Sequence, residues 1–185
     1  TNGYPINLTD IDSKTGVLWV SRLEPWKRPE LCIEAAVKNP DIPFTMIAPV
    51  DEKNREYAEK IYKMAANINN ITIHDFVGFR GIDVYFKEAR VFLNTSTEEG
   101  FPNTFIQACK NMTPIVSLNV NPDDFLTRYG VGEYCANNVD KMNDAIVSVY
   151  TSDSLFEKYS VSAGEYVKNH HCIKVNAKKL EELFV

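Results

Sequence analysis

The chain has 185 residues, 44% of them hydrophobic and 24% charged, with a formal net charge of -5. That make-up suits one globular domain with a core of its own. The acidic balance, with Lys and Arg scattered among acids, argues against a nucleic-acid surface or a polybasic membrane patch and leaves a small molecule as the expected partner. Cys32, Cys109, Cys135 and Cys172 are far apart and form no Cys-x-x-Cys pair, so they read as reduced residues. No apolar run is long enough to span a bilayer, no secretory leader is present, and the first residue is Thr. The expectation is a cytosolic piece of a longer chain.

Residues 1–16 are polar and turn-rich, with Gly3 and Pro5, and read as a linker remnant ahead of one domain over residues 17–185. Asp10 and Asp12 fall in this segment and read as solvated, not as a metal cage. Val17-Leu-Trp-Val-Ser21 is predicted as the first buried strand. The turn Arg22-Leu-Glu-Pro-Trp-Lys-Arg-Pro29 follows, and Pro29 and Glu30 open a helix that turns Leu31, Cys32 and Ala35 inward. Arg22 and Lys27 are thereby left at the carboxyl edge of the sheet, where open α/β sheets bind ligands. Two readings stand side by side: the cations neutralise a diphosphate, or they are surface charges paired with Glu24 or Glu30.

Residues 43–48 give a second strand, residues 51–68 a charged helix with Tyr57, Ile61 and Met64 inward, and residues 71–74 a third strand. Phe76-Val-Gly-Phe-Arg80 is expected as a loop offering backbone groups to a base. A short helix over 82–88 leads to a fourth strand over 90–94, apolar at consecutive positions as in a sheet covered on both faces. A fifth strand is expected over 113–117, a loop and short helix over 121–128, a sixth strand over 133–136, and helices through most of 140–185. His74 reads as structural, and adjacent His170, His171 and Cys172 as a surface cluster, since metal ligands must converge from different turns. Asn7, Asn70, Asn94 and Asn111 head Asn-x-Ser/Thr triplets, which chance explains in an Asn-rich chain.

The stretch Asn94-Thr-Ser-Thr-Glu-Glu-Gly-Phe-Pro-Asn-Thr-Phe-Ile-Gln107 joins the fourth strand to a helix that begins near Pro102, with Phe105, Cys109 and Met112 as its inward stripe. Phe101 offers no capping oxygen, so the first amides, of Asn103 and Thr104, are left for a ligand, and a phosphate or a sugar suits them. Gln107 lies one helical turn past Asn103, on the same face. The plainer alternative is a strand-to-helix connection with solvated polar residues.

Strands alternating with helices predict an α/β fold, a doubly wound, Rossmann-like parallel sheet of about six strands in the order 3-2-1-4-5-6. Neither Gly-x-Gly-x-x-Gly after the first strand nor Gly-x-x-x-x-Gly-Lys is present, so an anion site must be built differently.

The two turns together resemble the donor-binding half of GT-B glycosyltransferases, specifically the group 1 family of retaining, nucleotide-sugar-dependent enzymes. Val20-Ser-Arg-Leu-Glu-Pro-Trp-Lys27 is similar to that family's Gly-Arg-Leu-x-x-x-Lys signature, with Ser21 in place of the usual glycine. Ser96-Thr-Glu-Glu-Gly-Phe-Pro-Asn-Thr-Phe-Ile-Gln107 resembles its Ser-x-x-Glu-Gly-Phe-Gly motif within a Glu-x7-Glu element. Thr1-Asn-Gly3 resembles the end of the family's interdomain linker, and Asn111-Met-Thr-Pro114 the Gly-Thr-Pro before the fifth strand. The resemblance implies Arg22 and Lys27 on the donor diphosphate, Glu99 facing the transferred sugar, and Gly100, Phe101, Pro102, Asn103 and Thr104 wrapping sugar and phosphate. Gln107 stands where a second glutamate usually holds the ribose, and Phe79 falls in the loop beside the base. It further implies a nucleoside diphosphate sugar as donor substrate, no metal or permanently bound cofactor, and an acceptor bound by a missing N-terminal domain. The implied location is cytoplasmic, with any peripheral attachment to a membrane belonging to that missing domain. Two other classes stand beside it: a non-catalytic nucleotide-binding or regulatory module, and a dehydrogenase fragment, which the absent glycine fingerprint disfavours.

Overall fold

The computed structural model describes residues 13–171, apart from the side chains of residues 79 and 80. Six strands form one parallel sheet: β1 (Val17–Val20), β2 (Phe44–Ile47), β3 (Ile71–His74), β4 (Val91–Asn94), β5 (Ile115–Ser117) and β6 (Gly132–Tyr134). Their order is β3-β2-β1-β4-β5-β6, and every pairing is parallel. The expected fold class and strand order are both present. Among the described residues seven α-helices flank the sheet: α1 (Pro29–Lys38), α2 (Arg55–Ala65), α3 (Phe79–Glu88), α4 (Asn103–Lys110), α5 (Phe125–Tyr129), α6 (Val139–Thr151) and α7 (Asp153–His170).

Side-chain alternation along each strand sends residues to two cores. Val17, Trp19, Phe44, Met46, Val91, Leu93 and Val116 pack against α1, α2 and α6. Leu18, Ile47, Phe92 and Ile115 pack on the other face against α3, α4, α5 and α7. Because both faces are covered, the strands read as continuous apolar runs. On the second face Phe105, Phe125 and Tyr166 join α4, α5 and α7, with Phe125 and Tyr166 centroids 4.8 Å apart in an edge-on contact.

Several local expectations are corrected. The second long helix buries Ala58, Ile61 and Ala65, while Met64 is exposed. Ile61 faces inward as expected and Tyr57 is partly buried against the same core, so only Met64 is displaced, and Ala58 and Ala65 complete the inward face. Helix α3 begins at Phe79, several residues earlier than expected, so only Asp75 to Gly78 remain as the loop after β3. Met112 lies beyond the end of α4 with φ 54, outside the stripe assigned to it. Strand β6 starts at Gly132 and ends at Tyr134; Cys135 still donates its amide to Ser117, but Ala136 turns into the left-handed region at φ 50 and stops the ladder.

The sequence approaching β1 is fixed to this body. Lys14 is buried, and its ammonium reaches the carbonyls of Phe86, Lys87 and Ala89 and the hydroxyl of Thr113 at 2.8 to 3.3 Å. Three of these acceptors lie at the carbonyl end of α3, where a cation is favoured. Burial works against the charge and draws the Lys14 pKa down to about 7. The expected linker segment otherwise falls at residues 1–12, outside the described residues, as do Asp10, Asp12, Asn7 and Cys172. Asn70 shows why a glycosylation triplet misleads: its amide nitrogen donates to the carbonyls of Ala36, Asn39 and Ile42 and ties α1 to β2 and β3. No helix among the described residues is long and apolar enough to cross a membrane.

Candidate functional site

At the carboxyl ends of β1 and β4 the two turns singled out in the sequence lie against each other, and hydrogen bonds join them. The Thr95 hydroxyl donates to the Lys27 carbonyl at 2.6 Å and itself accepts from the Trp19 indole at 2.9 Å. Trp19 and Thr95 are buried, so this chain of bonds ties the β1–α1 turn to the end of β4 from inside the core. One step outward, the Thr97 amide donates to the Trp26 carbonyl at 2.9 Å.

The side chains then meet above this junction. Lys27 Nζ lies 2.9 Å from Glu99 Oε2. The other carboxylate oxygen, Oε1, accepts from the Asn94 amide at 2.9 Å and from the Ser96 hydroxyl at 2.7 Å. Three residues, Lys27 from one turn and Asn94 and Ser96 from the other, therefore fix one carboxylate, which Coulomb attraction in a partly desolvated setting makes a stiff arrangement. Lys27 pairs with neither Glu24 nor Glu30; Glu30 instead accepts from the Tyr57 hydroxyl at 2.9 Å. Arg22 behaves differently. Its side chain is 56% exposed and its guanidinium lies 3.3 Å from Asp51 and 3.7 Å from Glu24, so the surface-pair alternative describes it as it stands.

A cavity of about 310 Å³ opens over this carboxylate. Arg22, Lys27, Glu99, Asn103 and Thr104 form its polar end, and Phe76, Val77, Ile82, Ile47 and Pro49 its apolar end. Helix α4 points its N-terminus into the polar end. Pro102 occupies the capping position and supplies no side-chain bond. The amides of Asn103 and Thr104, at the first helical positions, have no carbonyl one turn back to receive them.

Of the other expected residues, Gly100 and Phe101 are exposed beside the cavity, and Phe101 rests edge-on against Phe105 and Phe125. A Cβ added to Gly100 would meet nothing within 4 Å. Gln107 follows Asn103 by one turn of α4; it is 9% exposed and does not line the cavity. The backbone of Phe79 opens α3, and its side chain lies outside the described residues. The sequence marks Phe76 and Val77 only as part of a loop offering backbone groups to a base, and marks no site role for Asn94, Ser96 or Ile82. A polar residue closing an otherwise apolar strand is the signal that marks Asn94. Nothing comparable marks the apolar wall, because its residues come from three separate elements. No three His, Cys, Asp or Glu side chains among the described residues are grouped as metal ligands.

The chain belongs to the group 1 glycosyl transferases: the model of that family matches residues 8–181. Solved structures share its fold. S. aureus TarM, in a complex with fondaparinux, alpha-GlcNAc-glycerol and UDP, superposes with a TM-score of 0.78 at 21% identity, over 100% of this chain and 38% of TarM. Anabaena HepE in complex with UDP gives 0.74 at 16% identity, over 94% of this chain and 49% of HepE. The C-terminal domain of the group 1 protein LpcC from Francisella tularensis gives 0.72 at 16% identity, over 86% and 89% of the two chains. The chain thus spans less than half the length of TarM and HepE but most of the isolated C-terminal domain. A search of curated proteins found no match.

Proposed function

We propose that this domain binds the nucleoside diphosphate sugar donor of a retaining glycosyltransferase whose acceptor is held by a separate N-terminal domain. One observation carries the reading: the Lys27 ammonium and the uncapped N-terminus of α4 converge on the polar end of one cavity whose other end is apolar. A nucleoside diphosphate has that polarity, anionic at one end and flat and weakly polar at the other. Lys27, the amides of Asn103 and Thr104, and Arg22 once it leaves Asp51 would take the diphosphate. Glu99, immobilised by Asn94 and Ser96, would orient the sugar, with Gly100, Phe101 and Pro102 forming the wall behind it. Phe76, Val77 and Ile82 would border the base, near the backbone of Phe79, while Gln107, buried beneath the cavity lining, would reach a ribose only by turning outward. In transfer, the bond from the anomeric carbon to the diphosphate breaks, and the charge that develops on the leaving oxygen falls beside Lys27 and the helix terminus. Preorganised charge of that kind is usually the largest catalytic contribution.

The test is a thermal-shift panel of UDP, GDP and ADP and their sugars against the matching nucleosides. At least one diphosphate is expected to raise the melting temperature where its nucleoside does not. A protein indifferent to all of them, or one that prefers a nicotinamide cofactor, would refute the reading.

Gly100 supplies a second check. Its backbone is not in the left-handed region and its missing side chain has no neighbour to avoid, so nothing within the domain calls for glycine. Close approach of a ligand to the backbone does. Gly100→Ala should leave the unfolding midpoint where it is and weaken binding of the donor sugar about tenfold, ~1.4 kcal/mol, by calorimetric titration.

A further inference from the structure

The Lys27 ammonium has a second partner besides Glu99. It sits over the indole of Trp26, 3.8 Å from the ring centroid, within the range where a cation is attracted by the negative face of the ring. Trp26 is 39% exposed and belongs to the short turn Pro25–Lys27. Its carbonyl is held by the amide of Thr97 and, at 3.3 Å, by the Thr97 hydroxyl. The ring is therefore carried on a fixed piece of backbone and is not a side chain adrift on the surface.

An ammonium has three N–H bonds. One meets Glu99 Oε2 and one is directed at the indole. Among the described residues no protein acceptor faces the third, and Lys27 lines the cavity. With two of the three donors engaged by Glu99 and Trp26, the remaining one is left for whatever occupies the polar end of the cavity that Lys27 lines. The indole also differs from the other partner a protein could have placed there. A second carboxylate would hold the lysine equally well but would add a full negative charge and repel an anionic ligand. The ring holds the cation through its quadrupole and adds no net charge.

We infer that Trp26 is a positioning residue for Lys27, fixing the ammonium so that its free N–H meets the donor diphosphate while the positive charge of the site is kept. The inference rests on the reading of the cavity as a nucleoside diphosphate site and assigns a role to a position that the family signature leaves open.

The experiment titrates wild type, Trp26→Phe and Trp26→Leu with UDP, GDP and ADP and with uridine, guanosine and adenosine, after circular dichroism melts of all three proteins. For the diphosphate that wild type binds, Trp26→Leu should lose about threefold to tenfold in affinity, the span expected for loss of one partly exposed cation–π contact. Its nucleoside affinity should be unchanged, and Trp26→Phe, which keeps an aromatic face, should recover most of the loss. The chain has two tryptophans, so emission gives an independent readout. Wild-type emission should change on addition of the diphosphate, and that of Trp26→Phe, which comes from buried Trp19, should not. Equal diphosphate affinity in wild type and Trp26→Leu, or equal losses for diphosphate and nucleoside, would overturn the role of Trp26 while leaving the site intact. If wild type binds no diphosphate at all, the reading of the cavity fails first and this inference with it.

Discussion

Replacing Lys27 by alanine is expected to weaken nucleoside diphosphate binding about tenfold to a hundredfold, with nucleoside binding little changed. The charge-assisted bonds that an ammonium makes to phosphate are worth roughly 1.5 to 3 kcal/mol, and the Lys27 side chain is only 10% exposed, so screening by water and salt is limited. A second effect has the same sign. Without Lys27 the Glu99 carboxylate keeps its bonds from Asn94 and Ser96 but loses its cation, and it then repels the diphosphate. Arg22→Ala should cost less, because the Arg22 side chain is more than half exposed and must leave Asp51 to reach a ligand. Calorimetry with UDP, GDP and ADP beside their nucleosides measures both variants. A loss shared equally by UDP and uridine would assign Lys27 to the fold and not to phosphate.

Among the described glycines, Gly132 is expected to tolerate alanine least, Gly132→Ala costing more than about 4 kcal/mol, the range reserved for severe steric or core defects. Gly132 has φ 158 and is paired with Ile115 on the neighbouring strand. A Cβ there would lie 1.8 Å from the Ile115 carbonyl oxygen and 2.7 Å from the backbone nitrogen and carbonyl carbon of the same residue. None of these atoms can move aside: Ile115 is fully buried, and β5 is held on its other edge by β4. Relief would require β6 to leave the sheet and to carry with it α5, which packs beside it. Since whole domains are stable by only about 5 to 15 kcal/mol, such a loss should be visible as a collapse of the urea midpoint. A variant that melts within a few degrees of wild type would show that β6 is dispensable.

These two residues also mark what the sequence reveals and what it does not. The sheet order was legible because buried parallel strands carry their own signature in consecutive apolar residues, as in Val91-Phe-Leu, and because short connections through helices leave few topologies open. Arg22 and Lys27 could be placed at the carboxyl edge of the sheet because they follow a buried strand and precede Pro29, which opens a helix. The choice between a ligand and a surface pair, and the role of Glu99, could be read only from the resemblance of both turns to the family motifs. Gly132 could not. A glycine inside a strand is a statement about a neighbour's backbone, and that neighbour, Ile115, is set by tertiary pairing. The same holds for the bond between Lys27 and Glu99, which lie 72 positions apart in sequence and meet only because β1 and β4 are adjacent. The inward face of α2 is settled in the same way: Met64 and Ala65 both satisfy helical spacing from Ile61, and packing against the core beneath the helix selects the alanine.

The bonds that join the two turns, from Thr95 to the Lys27 carbonyl and from Thr97 to the Trp26 carbonyl, have a consequence for timing. They are made entirely by the domain's own residues and require no ligand, so the two halves of the cavity need not find each other when one arrives. Little ordering has to accompany capture, and capture can then run near the ordinary rate of diffusional docking. Ligands that fit well and ligands that fit poorly should enter at similar speeds and differ mainly in how long they stay.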